Sequence, residues 1–183
     1  MLAYKLKYLS VKYSTGVFIL LISLLILSCK SRHSDLSKPL FTILDANQTN
    51  IEFINKVEYT EEFNTYTYRN FYNGAGVGLG DFNNDGFQDI YFCSNQKGNK
   101  LYLNRGNFVF EDITEEAGVS SSGSWSTGVT VADVNGDGWP DFYVCKSGRP
   151  EGSNRSNELF INNGDLTFTE KAKEYGLDEQ GNS

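Results

Sequence analysis

From Gly74 onward, short apolar runs alternate with polar turns, and the order of the runs is laid down twice. Gly74-Ala-Gly-Val-Gly-Leu-Gly80 leads into an aspartate-rich turn, and Gly128-Val-Thr-Val-Ala-Asp133 leads into a second one. After each turn comes a short strand pattern, Asp89-Ile-Tyr-Phe-Cys93 and Asp141-Phe-Tyr-Val-Cys145. Asn99-Lys-Leu-Tyr-Leu-Asn104 then matches Asn157-Glu-Leu-Phe-Ile-Asn162. Arg105-Gly106-Asn107 and Asn163-Gly164-Asp165 have hairpin-turn chemistry, and Phe108–Phe110 and Leu166–Phe168 read as returning strands. Each copy closes on a short helix or turn with a glycine stop, at Gly118 and Gly176. Four short strands that begin again after some 50 residues predict an all-β chain of β-propeller blades, each an antiparallel set. Two blades cannot close a ring of four to eight, so the expectation is an incomplete propeller, a fragment of a longer protein in preference to a chain that oligomerises to complete the ring.

The stretch ahead of the repeats is less regular. Leu40–Leu44 could start a strand, Asp45–Asn50 reads as a turn or short helix, and Ile51–Ile54 as a strand. Asn64–Tyr72 carries Tyr66, Tyr68, Phe71 and Tyr72, and its alternation predicts a half-buried extended strand whose rings serve packing in preference to a ligand platform. The Gly-x-Gly-x-Gly run at Gly74–Gly80 is not a dinucleotide fingerprint, because a turn rich in Asn and Gly follows where a helix is needed. Its glycines predict tight packing near a crowded centre.

The candidate chemistry sits in the two turns. Asp81-Phe-Asn83-Asn-Asp85-Gly86-Phe87-Gln-Asp89 and Asp133-Val-Asn135-Gly-Asp137-Gly138-Trp139-Pro-Asp141 both read D-x-N-x-D-G-x-x-D, and they start 52 residues apart. Side-chain oxygens fall at positions one, three, five and nine, glycine permits a sharp turn at six, and position seven can add a backbone carbonyl. Ca²⁺ takes six to eight such oxygens, whereas Mg²⁺ demands tight octahedral geometry and keeps its waters. The later landmarks are offset by 58 residues rather than 52, which places a six-residue insertion within Ser147–Ser156 of the second copy. An inserted loop of this kind is either a binding decoration or a tolerated surface extension.

Charge and composition narrow the rest. The chain of 183 residues has a formal net charge of -7, and its first 28 residues hold three lysines and no acid, so the remainder is more acidic still. That balance argues against a nucleic-acid partner and is compatible with cation binding. His33 is the single histidine, which sets aside histidine acid–base catalysis and a histidine-rich zinc site. Cys93 and Cys145 lie at equivalent repeat positions and read as small buried residues rather than a disulfide. At the amino terminus, a basic region leads into the apolar run Val17–Leu27, too short for an ordinary membrane span. Ile26-Leu27-Ser28-Cys29 follows and resembles a bacterial lipobox. The division expected is therefore a lipoprotein signal over 1–28, lipidation at Cys29, a tether over 29–39, and about two blades with a lead-in over 40–183. The membrane is reached through the lipid anchor only.

With Gly-Val before the loops and Asp-[Ile/Phe]-Tyr after them, the repeats resemble FG-GAP or VCBS repeats. Phe110–Gly118 and Asn157–Phe168 further resemble the amino-terminal portion of exported proteins of the ASPIC/UnbV, cartilage acidic protein-like type, which in Bacteroidota often carry lipoprotein signals. The resemblance implies propeller blades whose loops bind Ca²⁺. The implied ligands are Asp81, Asn83, Asp85, Asp89 and the Phe87 carbonyl in one site. In the other they are Asp133, Asn135, Asp137, Asp141 and the Trp139 carbonyl. Both ions would be structural.

The functional expectation is a calcium-stabilised binding or scaffold module without catalysis of its own, lipid-anchored to the bacterial envelope at the outer membrane. Its partner would be a surface protein or a glycan. The competing expectation is part of a surface glycan-processing or other hydrolytic enzyme. Paired carboxylates can do such work, but the obvious aspartates are committed to the loops. Gly123-Ser124-Trp125-Ser126 is not a nucleophile elbow.

Overall fold

A computed structural model describes residues 39–121, 125–147 and 155–180. The signal, Cys29, nearly all of the tether and the core of the Ser147–Ser156 insertion therefore lie outside the described residues. Residues 39–43 have no helix or strand, contrary to the strand start expected at Leu40. The unit from Leu44 onward is the one that carries the repeats.

Two four-stranded antiparallel sheets make up the fold, each a simple meander in chain order. The first contains β1 (Val77–Gly80), β2 (Asp89–Phe92), β3 (Lys100–Asn104) and β4 (Phe110–Asp112). The second contains β5 (Trp125–Ala132), β6 (Asp141–Ser147), β7 (Glu158–Asn162) and β8 (Phe168–Glu170). This is the all-β arrangement of two propeller blades. Short helices follow the outer strands, α2 (Thr114–Ala117) and α3 (Ala172–Tyr175), after α1 (Ala46–Thr49) in the lead-in. Gly118 and Gly176 end α2 and α3 in the left-handed region, at φ 72° and 67°, the conformation glycine adopts without steric cost.

The blades share one core. Phe82, Tyr91, Leu101 and Leu103 from the first meet Phe142, Val144, Phe160 and Phe168 from the second. The Phe82 ring lies edge-on to Phe142 and Phe168, with centroids 5.6 and 5.8 Å away. The innermost strands, β1 and β5, pack on one another, and the glycine run of β1 is what permits it. A Cβ on Gly76 would lie 2.8 Å from the Gly128 Cα, and one on Gly80 would lie 3.0 Å from a Val131 methyl. The tight packing read from the sequence is thus located between the blades.

Three local expectations are corrected. The hairpin connections between β3 and β4 and between β7 and β8 are five residues long, closed by Arg105 N–H to Val109 and Asn163 N–H to Thr167. The returning strands begin only at Phe110 and Phe168. Phe108 and Leu166 take φ of 58° and 68°, which no strand accommodates. Ile51–Ile54 forms no ladder either. It runs extended, its residues alternately half-buried and exposed, and Phe53 stacks on Phe92 at 4.7 Å. Side chains replace the ladder: Asn55 and Asn95 bond each other, and so do Glu58 and Gln96.

Asn64–Tyr72 is a series of turns rather than a strand. The cause is Asn64, whose Oδ1 accepts from the N–H of Tyr66 and whose Nδ2 donates to the carbonyls of Thr60 and Glu61. Local side-chain bonds of this kind outcompete β propensity. Phe71 is buried with Phe63 and Trp125, but Tyr66 is 97% exposed and does not pack at all.

Candidate functional site

Both aspartate loops occupy the turn between the first and second strand of a blade, and they lie side by side. Asn84 Nδ2 donates to the Gly138 carbonyl across them at 3.2 Å. The backbone is the same in each. Position six is glycine at φ 89° in one and 88° in the other, and position four is also left-handed, at Asn84 (φ 54°) and Gly136 (φ 76°). Asparagine and glycine are the residues that tolerate this region best.

Within the first loop, the Asp81 carboxylate accepts from the N–H of Asp85 at 3.0 Å and of Gly86 at 2.8 Å. Asp85 accepts from Phe87 N–H at 2.8 Å, and from Asn83 Nδ2 at 2.9 Å. The second loop repeats the pattern. Asp133 accepts from Gly136, Asp137 and Gly138, and Asp137 from Trp139 and Asn135. The Gly138 N–H bond leads in holding the Asp133 carboxyl below the usual range, and the Gly136 and Asp137 bonds add to it. Positions one, three and five are thus gathered on one turn.

The ninth position does something different. Asp89 and Asp141 are fully buried. Asp89 accepts from Phe82 N–H and Asn104 N–H, both at 2.8 Å. Asp141 accepts from Val134 N–H at 2.9 Å and Asn162 N–H at 2.8 Å. Each therefore ties its loop to the third strand of the blade. Burial pushes the Asp89 carboxyl up to about 6, assisted by the neighbouring Asp85 and Asp81 charges and opposed by the two N–H bonds.

Phe87 and Trp139, expected to offer carbonyls, also use their rings. They lie against the hairpin glycines Gly106 and Gly164, where a Cβ would come within 3.6 and 3.2 Å of them. The sequence reading missed the asparagines that end the third strands. Asn104 Nδ2 donates to the Gln88 carbonyl, and Asn162 Nδ2 to the carbonyls of Pro140 and, across the blades, Phe82. Asn99 and Asn157 do similar work at the strands' other ends. Their Oδ1 atoms accept from Ser94 and Lys146 N–H, and their Nδ2 groups reach the Tyr91 and Tyr143 hydroxyls. The signal was in plain view as a repeated Asn-x-Leu-x-x-Asn. Cys93 and Cys145 are free thiols, the first buried.

The donor set of each loop is carboxylate, amide and carbonyl oxygen, which suits a hard cation. A carboxylate oxygen that accepts one N–H keeps a second lone pair. Among the described residues, no three His, Cys, Asp or Glu side chains stand together as a metal-holding group. The inward-turned carboxylates are engaged with their own loop amides.

Fold and loops together define a tandem β-blade repeat with an aspartate turn at the inner edge of each blade. Residues 81–144 match the FG-GAP-like repeat family model, a span that includes both loops. That span of the chain is thus similar to FG-GAP-like repeats. A stretch of 69 residues is 39% identical to Cartilage acidic protein 1 of Xenopus tropicalis, covering 37% of this chain and 10% of that protein. The match spans only about a tenth of that relative's length.

Proposed function

We propose that residues 40–183 form a calcium-stabilised binding or scaffold module that acts at the cell surface without catalysis of its own. The FG-GAP-like repeat supports the surface-binding part of this reading. The observation that carries the calcium part is the duplicated loop. Two neighbouring turns each gather two carboxylates and an amide on one set of backbone amides, and brace them with a buried third carboxylate. Like charges so placed repel, and a divalent cation would neutralise them and couple its binding to folding. Asp81, Asn83, Asp85 and Asp89 would hold one ion with the Phe87 carbonyl. Asp133, Asn135, Asp137 and Asp141 would hold the other with that of Trp139. An export signal over 1–28 and lipidation at Cys29 would place the module on the bacterial envelope, facing a surface protein or glycan.

Thermal unfolding tests the structural ion. Millimolar Ca²⁺ is expected to raise the melting temperature and chelator to lower it, since a ligand at a hundred times its Kd stabilises by about 2.7 kcal/mol. Superimposable melting curves under the two conditions would refute the structural ion.

A further inference from the structure

The lead-in carries a cavity that neither blade uses. It has a volume of about 580 Å³ and is lined by Tyr59, Thr60, Glu61, Asn64, Thr65, Tyr66 and Tyr72. Three of these are tyrosines that stand largely in solvent, Tyr59 at 74%, Tyr66 at 97% and Tyr72 at 66% exposure. Exposed rings are ordinary when single. Three around one concavity of ligand size are not.

The floor is built rather than slack. Asn64 closes the turn with bonds to Thr60, Glu61 and Tyr66, and Thr67 adds a bond to Asn64 N–H. Tyr72 is set edge-on against buried Phe71 at 5.0 Å, and Phe71 belongs to the cluster around Trp125. The rings are therefore presented by a fixed backbone. The side chains of Asn64 and Thr60 are spent on this scaffold. The other lining residues are the three tyrosines, Thr65 and Glu61, which bring apolar rings, hydroxyls and a carboxylate.

We infer that this cavity is a saccharide-binding site for a neutral, unmodified oligosaccharide. A pyranose ring has one apolar C–H face and a girdle of hydroxyls. Partly positive C–H groups pack on the negative face of an aromatic ring, while the hydroxyls need several donors and acceptors around the rim. The cavity supplies both. An anionic ligand fits poorly, because among the described residues no lysine or arginine lines the site and Glu61 does. The inference rests on the proposed reading of the chain as a surface-binding module and names its ligand class.

The test is calorimetric titration of the full chain, in calcium, with cellohexaose, xylohexaose, laminarihexaose and mannohexaose. At least one is expected to bind at millimolar concentration or below. Tyr66→Ala is expected to weaken that binding about tenfold, the value of one aromatic contact of roughly 1.4 kcal/mol. Tyr66→Phe, which keeps the ring, is expected to retain most of it. Neither change should move the melting temperature or its calcium dependence, so failure here is separable from failure of the calcium reading. The site is refuted if none of the four binds. Binding that survives both Tyr66→Ala and Tyr72→Ala, or binding of tetramethylammonium in place of the sugars, also overturns it.

Discussion

The two blades are built on one plan, and their differences sit where they face each other. β1 alternates glycine with larger residues, whereas its counterpart β5 carries Val129 and Val131. Taken alone, the first strand looks weak, since glycine packs nothing and loses most entropy on folding. Against β5 it is complementary: Gly78 and Gly80 leave the volume that Val129 and Val131 fill. A second difference lies at the end of the blades away from the loops. Lys146 and Glu158 form an ion pair in the second blade, with Lys146 only 1% exposed and the Ser121 hydroxyl also bonded to Glu158. The equivalent positions of the first blade hold Ser94 and Lys100, and Lys100 instead pairs with Asp112 near the surface. Repeats therefore keep what each blade needs internally and diverge where a neighbour dictates the shape.

Substitution can break the comparison at several depths. The largest effect is expected from Glu158→Ala, which removes the carboxylate that buried Lys146 and the Ser121 hydroxyl both contact, and should cost about 3 kcal/mol. Lys100→Ala, at the corresponding exposed pair, should cost less than about 1 kcal/mol. Equal losses in urea titrations would show that the two pairs are not differently placed. Next comes Gly76→Ala, whose methyl would meet backbone of β5 and should destabilise by about 1–3 kcal/mol. Gly74→Ala is a poor control because its φ is 82°; Gly128→Ala, with no neighbour closer than 3.9 Å, is a good one and should cost less than Gly76→Ala. The smallest contrast is between the strand-end asparagines. Asn162→Ala should cost about 1–3 kcal/mol, and more than Asn104→Ala, because only Asn162 also bonds the other blade.

Much of this architecture was legible from the order of residues. The eight strands, the glycine stops at Gly118 and Gly176 and the crowded packing of the glycine run follow from period and turn chemistry. What escaped was set by side chains acting on distant backbone. Asn64 turned a plausible strand into turns, and nothing in the alternation of Tyr66 and Tyr68 reveals that. Asp89 and Asp141 shared a motif with the other loop aspartates, yet their burial as braces depends on amides of Asn104 and Asn162, 15 and 21 residues away. The motif marks the loop; the division of labour within it is a tertiary fact.

The central claim is that each loop holds one ion of its own. Calcium titration by calorimetry of the full chain, Asp85→Ala, Asp137→Ala and the double variant tests it most directly. The account predicts two ions per chain for the parent, one for each single variant and none for the double. A parent chain that takes up no calcium, or single variants that still bind two ions, would contradict it.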